Sequence, residues 1–294
     1  RDLVFKQRIT TTNTELLAYH DFAHSLADEA GQRLRRWFGR TTASTKVDGS
    51  FVTEADLEVD RFIQQALASA YPDHGLLSEE SSLVYRGAEF TWVVDPLDGT
   101  NNFANGLPLW GCSIALLHQG HPLLAVLDFP PIGQRYSAVR GHGAAWNGQP
   151  LHVHAPAEMH GNDFFILDSR SFRLLDYAVR PKARLLGSAA YDLVAVSSGV
   201  AVACCELLPK IWDLAGAWLV LTEAGATVAP LFSGISVFPL QAGLDYTERV
   251  FPLLAAASPA IWQAMQSGLR IKPTSQRLIG RLQAQGWIVD LPLA

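Results

Sequence analysis

The feature that most constrains this chain is a break in polarity at residue 95. Thr91-Trp92-Val93-Val94 has the aromatic and β-branched content of a buried strand, and it runs directly into Asp95-Pro96-Leu97-Asp98-Gly99-Thr100. Two carboxylates carried to the end of a buried strand are costly to desolvate unless a cation neutralises them. Pro96 and Gly99 predict a sharp turn that points both side chains and an intervening carbonyl at one place. Such a set of oxygen ligands suits a hard divalent cation such as Mg²⁺. Thr100 adds a hydroxyl, and the amides after it are placed to open a helix that receives a phosphate.

Two further acidic groups fit the same place. Glu79-Glu80 follows Leu76-Leu77-Ser78, a short apolar strand. Trp212-Asp213 precedes a helix expected over Leu214 to Ala224, which makes Asp213 an N-cap or a ligand at a helix start. Taken singly, Glu79-Glu80 reads as a solvated loop and Asp213 as a plain cap. Taken together, the three groups match a phosphoryl site that needs several carboxylates around more than one cation.

The rest of the chain supplies a frame for these groups. Its 294 residues can bury a large core, as one domain or two tightly joined halves, and 49% hydrophobic with 17% charged residues is an ordinary globular balance. Helical spacing predicts an amphipathic helix from Glu15 to Phe38 and a second one capped by Thr53 and ending before Pro72. Strands are expected at Phe90 to Val94, Leu109 to Leu117, Pro122 to Phe129, Arg135 to Val139 and Ala144 to Trp146, closed by the turn Asn147-Gly148. Past Pro150 strands alternate with helices: Phe164 to Leu167, then Ala189 to Ser198, Ala201 to Leu207, Leu214 to Ala224, Val250 to Ala257 and a closing helix from Pro259 to Ser267. The expected boundary divides an α+β half, 1–150, which carries most of the candidate ligands, from an α/β half, 151–294, which carries Asp213 and Glu206.

Several function classes are set aside by composition and spacing. A net charge of -5 argues against a nucleic-acid polymer as partner. Arg33, Arg35 and Arg36 read as a solvated helix face. Cys112, Cys204 and Cys205 form neither a disulfide framework nor a zinc ribbon, which suggests a reducing compartment. No apolar run is long enough to span a bilayer, so no membrane partner is expected. The expected location is cytoplasmic; because the chain does not begin with Met, an organellar lumen is the alternative if a leader has been removed. Asp95 and Asp98 stand one residue too far apart for the D-x-D-G-T motif of haloacid dehalogenase phosphatases, Pro96 and Gly99 do not fit an EF-hand loop, and there is no Walker A motif. His20 and His24 on a helix, and His152 and His154 on a strand, lack partners in a zinc pattern. Trp92, Trp110, Trp146, Trp212 and Trp218 read as core.

The segments Val52-Thr53-Glu54-Ala55-Asp56, Ser78-Glu79-Glu80-Ser81, Asp95 to Thr100 and Trp212-Asp213-Leu214-Ala215-Gly216 together resemble the inositol monophosphatase family. Gly187-Ser188-Ala189-Ala190 and Glu223-Ala224-Gly225 extend the similarity, which covers about Phe22 to Ala257. The resemblance implies an α/β fold, a layered αβαβα sandwich of the inositol monophosphatase and fructose-1,6-bisphosphatase type. It implies Mg²⁺-dependent hydrolysis of a small-molecule phosphate monoester by in-line attack of water, without a phosphoenzyme. By the same resemblance, Glu79, Asp95, the Leu97 carbonyl, Asp98 and Asp213 hold two or three Mg²⁺ ions per site. Glu79, Thr100 and Asp98 are the catalytic residues, with Glu79 and Thr100 positioning and deprotonating the water. The Gly99 and Thr100 amides hold the phosphate, and Gly187, Ser188, Ala189 and Glu206 line the alcohol side. Lys46, Asp56 and Glu80 match peripheral positions. Lithium sensitivity and a homodimer are also implied.

Substrate choice stays open at this level. Asn101-Asn102 and Asn105 depart from inositol-type members. Lys46-Val47-Asp48-Gly49-Ser50 resembles the histidinol-phosphate and phosphoadenosine-phosphate branches as much as the inositol branch. Glu206 suits the hydroxyls of a polyol or the amine of histidinol phosphate. Asn105-Gly106-Leu107-Pro108 and the spacing from Gly187 through Glu206 to Asp213 favour a polyol such as inositol phosphate. A catalytically silent relative that binds metal or a sugar phosphate would be marked by a lost ligand, and every expected ligand is present.

Overall fold

A computed structural model describes residues 12–45, 51–289 and 291. Lys46 and the Asp48-Gly49-Ser50 turn lie outside the described residues.

Helix α1 spans Asn13–Trp37 and α2 spans Glu54–Ala70. Each begins with a reciprocal capping box, Thr12 with Glu15 and Thr53 with Asp56, which satisfies amides that the helix itself cannot. The buried faces of α1 (Ala23, Leu26, Ala27, Ala30, Leu34) and α2 (Val59, Ile63, Leu67) follow helical spacing. Arg33 is not a solvated charge. It pairs with Glu29 at 2.8 Å and Glu58 at 3.0 Å and lies over the Phe62 ring, latching α1 to α2. Arg35 likewise donates to the Pro130 carbonyl.

A seven-stranded sheet runs in chain order: β1 (Gly75–Ser78), β2 (Phe90–Asp98), β3 (Gly111–His118), β4 (His121–Phe129), β5 (Gln134–Val139), β6 (Gly143–Trp146) and β7 (Gln149–Leu151). β1 pairs parallel to β2, and each later pair is antiparallel. Both faces of the central strands are buried. Trp92, Val94, Ile114, Leu116, Leu124 and Val126 pack under α1 and α2, while Val93, Ala115, Leu117, Ala125 and Leu127 face a second core. Period-2 alternation puts successive side chains on opposite faces, so a strand covered on both sides becomes a continuous apolar run.

The second sheet is built from β8 (Phe164–Leu167), β9 (Lys182–Arg184), β10 (Ala203–Glu206), β11 (Thr227–Pro230) and β12 (Leu253–Ala256), in the order β9-β8-β10-β12-β11. Helices α5 (Ala189–Ser197) and α6 (Ile211–Ala224) lie between the two sheets, and α7 (Pro259–Ser267) covers the outer face of the smaller one. The layers are therefore α, β, α, β, α, as the family resemblance implies. The large sheet ends at Leu151, yet one continuous apolar core runs from Leu77 in β1 to Leu291 and crosses that point.

Several sequence expectations are corrected. The chain does not close on α7: a strand at Leu269–Ile271 pairs with Leu175–Tyr177, and a further helix spans Gln276–Ala284. His152 and His154 follow β7 instead of lying on a strand. Trp146 is 36% exposed at the sheet edge, where it stacks on Tyr136. Among the described residues, no helix is long and apolar enough to cross a membrane.

Candidate active site

The C-terminal ends of β1, β2, β8 and β10 all open on one cleft of about 610 Å³. So do the N-terminal ends of α5, α6 and two short helices, α3 (Thr100–Ala104) and α4 (Ser169–Leu174). Of the residues singled out from sequence, Glu79, Asp95, Leu97, Asp98, Gly99, Thr100, Gly187, Ser188, Ala189, Glu206 and Asp213 line it. Asp56 sits just behind, in contact with Thr100. Glu80 follows Glu79 in a turn and does not line the cleft.

The two aspartates of β2 converge by a route the sequence did not suggest. The strand does not break at Pro96 but continues through Asp98. Asp95 pairs with Ser113 and Asp98 with Gly111, so β2 spends one more residue than β3 across this interval. This β-bulge lets side chains three positions apart face the same side, which regular pleating forbids. Gly99 then turns the chain at φ +82; a Cβ there would stand 3.0 Å from the Leu109 carbonyl oxygen and 3.3 Å from Ser188 Cβ. That conformation and that close approach both require glycine.

Asp213 is brought in from the other half. Helix α6 begins at Ile211, so Asp213 is not the N-cap but the third helical residue, and its Oδ2 accepts from the Lys210 amide at 2.7 Å. One turn on, Gly216 presses against the large sheet, where a Cβ would meet Leu127 Cδ1 and Ser113 Oγ at 3.1 Å. A small residue there allows the helix start to reach the end of β2. Glu79 is held by its own backbone, whose amide donates to the Val94 carbonyl at 3.3 Å. Asp60 fixes the same loop, accepting from Ser78 Oγ at 2.6 Å and Ser81 Oγ at 3.1 Å.

Asp95, Asp98 and Asp213 offer oxygens that all lie within 4.8 Å of one another. Burial and the neighbouring carboxylates raise the pKa of Asp95 and of Asp213 well above the usual range, and burial raises Asp98 to about 6. The Ser188 hydroxyl and the Ala190 amide at 3.2 Å, both at the start of α5, donate to Asp98 and oppose that rise. Among the described residues, the cleft is lined by one cationic side chain, the exposed Arg170. Such a dense group of oxygen acceptors fits a hard divalent ion such as Mg²⁺.

Thr100 Oγ1 lies 2.9 Å from the Leu97 carbonyl and 3.1 Å from Asp56 Oδ1. Asp56 Oδ2 accepts from the Thr53 amide at 2.8 Å and the Thr53 hydroxyl at 2.6 Å. The cap of α2 is thereby tied to the start of α3. Burial raises Asp56 to about 6, and its hydrogen bonds with Thr53 offset part of the shift.

The structure also assembles groups that sequence reading passed over. Asn102 donates to the Leu109 carbonyl at 2.8 Å and the Leu186 carbonyl at 2.7 Å, joining the α3 loop to the other half of the molecule. Asp168 and Asp192 line the same cleft as Glu206. Burial and neighbouring carboxylates raise Asp192 and Glu206 well above the usual range. Asp168-Ser169-Arg170-Ser171, an acidic cap after an apolar strand, is the signal that could have located Asp168.

A layered αβαβα sandwich with an acidic cleft where strand ends meet helix starts defines a class of phosphomonoester hydrolases. The sequence profile of the inositol monophosphatase family matches residues 16–266. The chain belongs to that family. It is 35% identical over 213 residues to a histidinol-phosphatase of Chlorobaculum parvum, covering 69% of this chain and 82% of the relative. It is 34% identical over 228 residues to an inositol-1-monophosphatase of Mesorhizobium japonicum, covering 71% and 84%. The crystal structure of the extragenic suppressor protein SuhB from Bartonella henselae superposes with a TM-score of 0.74 at 27% identity, covering 85% of this chain and 98% of that one.

Proposed function

We propose that this phosphatase hydrolyses a small phosphate monoester at the Asp95-Asp98-Asp213 cleft with Mg²⁺ as cofactor. The observation that carries the reading is the convergence of those three carboxyls from two halves of the chain, with Thr100 beside them. Glu79, Asp95, Asp98, Asp213 and the Leu97 carbonyl would hold the ions, two or three per site. When bound, such cations supply Lewis acidity that lowers the pKa of water and offsets charge on the phosphoryl group and leaving alkoxide.

The chain's own groups do the rest. Thr100 Oγ1, which lies beside the Leu97 carbonyl and Asp56, orients the attacking water, and Glu79 takes its proton. The Gly99 and Thr100 amides bind the phosphoryl oxygens. Gly187, Ser188, Ala189 and Glu206 receive the alcohol. The family resemblance extends the reading to a homodimer in the cytoplasm, inhibited by Li⁺.

Phosphate release from p-nitrophenyl phosphate, with and without Mg²⁺, tests the proposal. Asp98→Asn should retain under about a tenth of the wild-type rate and lose any Mg²⁺-induced rise in melting temperature, since an ion that binds only the folded site stabilises it. A variant that keeps both would refute the assignment.

A further inference from the structure

Helix α1 carries two histidines that take no part in the cleft. His20 and His24 stand four residues apart, which brings them to one face of the helix. Their Nε2 atoms face each other at 3.2 Å, with ring centroids 4.4 Å apart and ring planes tilted by 53°. Both side chains are half-buried, so neither is sealed from solvent.

Two neutral imidazoles meet nitrogen to nitrogen only with something between their lone pairs. A proton on one Nε2 serves, and so does a metal ion. Two nitrogens each ~2.05 Å from one ion stand about 2.9 Å apart at a right angle and about 3.3 Å apart at a tetrahedral one. The observed separation of 3.2 Å falls between those limits, so the rigid helix already holds the pair at the spacing an ion needs.

The surroundings favour a cation. Asp21 Oδ1 stands 3.6 Å from His20 Nδ1, which draws the ring proton to Nδ1 and leaves the Nε2 lone pair free. Burial, and after it the neighbouring His20, lowers His24 to about 4, so this ring is neutral at neutral pH, as a ligand must be. Asp21 and Asp28 act on His24 against the charge of Arg135. Arg135 is itself bound by Asp28 at 2.7 Å and Asp128 at 2.9 Å, so three carboxylates surround one guanidinium. Among the described residues, no third His, Cys, Asp or Glu joins the pair in a cluster as tight as that of Asp95, Asp98 and Asp213. The four-ligand zinc pattern is therefore absent, and water would complete the coordination.

We propose that His20 and His24 form a metal site apart from the cleft, taking one divalent transition ion such as Ni²⁺, Cu²⁺ or Zn²⁺ through their two Nε2 atoms and clipping together two successive turns of α1. Imidazole suits those ions, whereas the carboxylates of the cleft suit Mg²⁺, so the two sites differ in the ions they prefer. The site stands whether or not the phosphatase reading does.

Calorimetric titration of the full chain with Ni²⁺, in excess Mg²⁺ to keep the cleft carboxylates engaged, tests it. The wild type should bind Ni²⁺, and His20→Asn and His24→Asn should each weaken that binding by about tenfold or more, since each removes one of two ligands. The double variant His152→Asn/His154→Asn, which removes the other close pair of histidines in the sequence, should keep it. Electron paramagnetic resonance of bound Cu²⁺ should show splitting from two nitrogens in the wild type and from one in either single variant. A pair that is only hydrogen-bonded would give no Ni²⁺ binding by the wild type, or binding that both single variants leave unchanged. Either result overturns the proposal, as does binding lost in the double variant. The wild-type Cu²⁺ spectrum decides alone if a variant fails to fold: without nitrogen splitting, the site does not exist.

Discussion

Asp56→Asn offers a direct reading of how burial loads this site. The folded pKa of Asp56, about 6, lies above its ordinary value of 3.8, mainly because the carboxyl is buried. The folded state therefore holds the proton more tightly than the unfolded chain does. The resulting stability is fully present below pH 3.8 and is lost as pH rises through 6. Between about pH 4.5 and 7.5 the wild type should lose roughly 2 kcal/mol through this one group. Asparagine is isosteric with the neutral acid and does not titrate, so the variant escapes that loss. It has a cost of its own, because its amide donor can face the Thr53 amide, but that cost does not change with pH. Groups that titrate in the opposite direction, such as His24, whose burial lowers its pKa to about 4, are common to both proteins and cancel in the difference. Melting temperatures of wild type and variant in EDTA should thus shift relative to each other by about 3 °C, in favour of the variant, as pH rises over that range. A difference that stays flat, or moves toward the wild type, would refute the reasoning.

Thr100→Ala removes the hydroxyl that Asp56 and the Leu97 carbonyl hold in place, and kcat should fall by about 10²-fold with a smaller change in KM. Steady-state kinetics check this, and a pure KM effect would move Thr100 into ground-state phosphate binding. Family membership leads us to expect inhibition by Li⁺ but not by K⁺ at equal ionic strength in the same assay; equal response to both salts would count against an inositol-type metal site.

The sequence by itself determined which acidic residues gather at the cleft. Asp95 to Thr100 stood out because strand periodicity and carboxylate polarity conflict there, and local conflict is visible in a linear string. The capped helices and the apolar strands were legible for the same reason: capping boxes and period-2 or period-3.6 burial are written within a few residues of each other. Tertiary structure decided what depends on distant neighbours. The bulge that aligns Asp95 with Asp98 exists only against β3. Gly216 matters because of Leu127 and Ser113, and Asn102 because of Leu186. Asp192 lies in a helix whose other residues are nearly all buried, so no polar face marked it out. Its place in the cleft beside Glu206 is set only when β8, β10 and α5 close together, because burial and desolvation are set by the surroundings in space, and not by the order of residues along the chain.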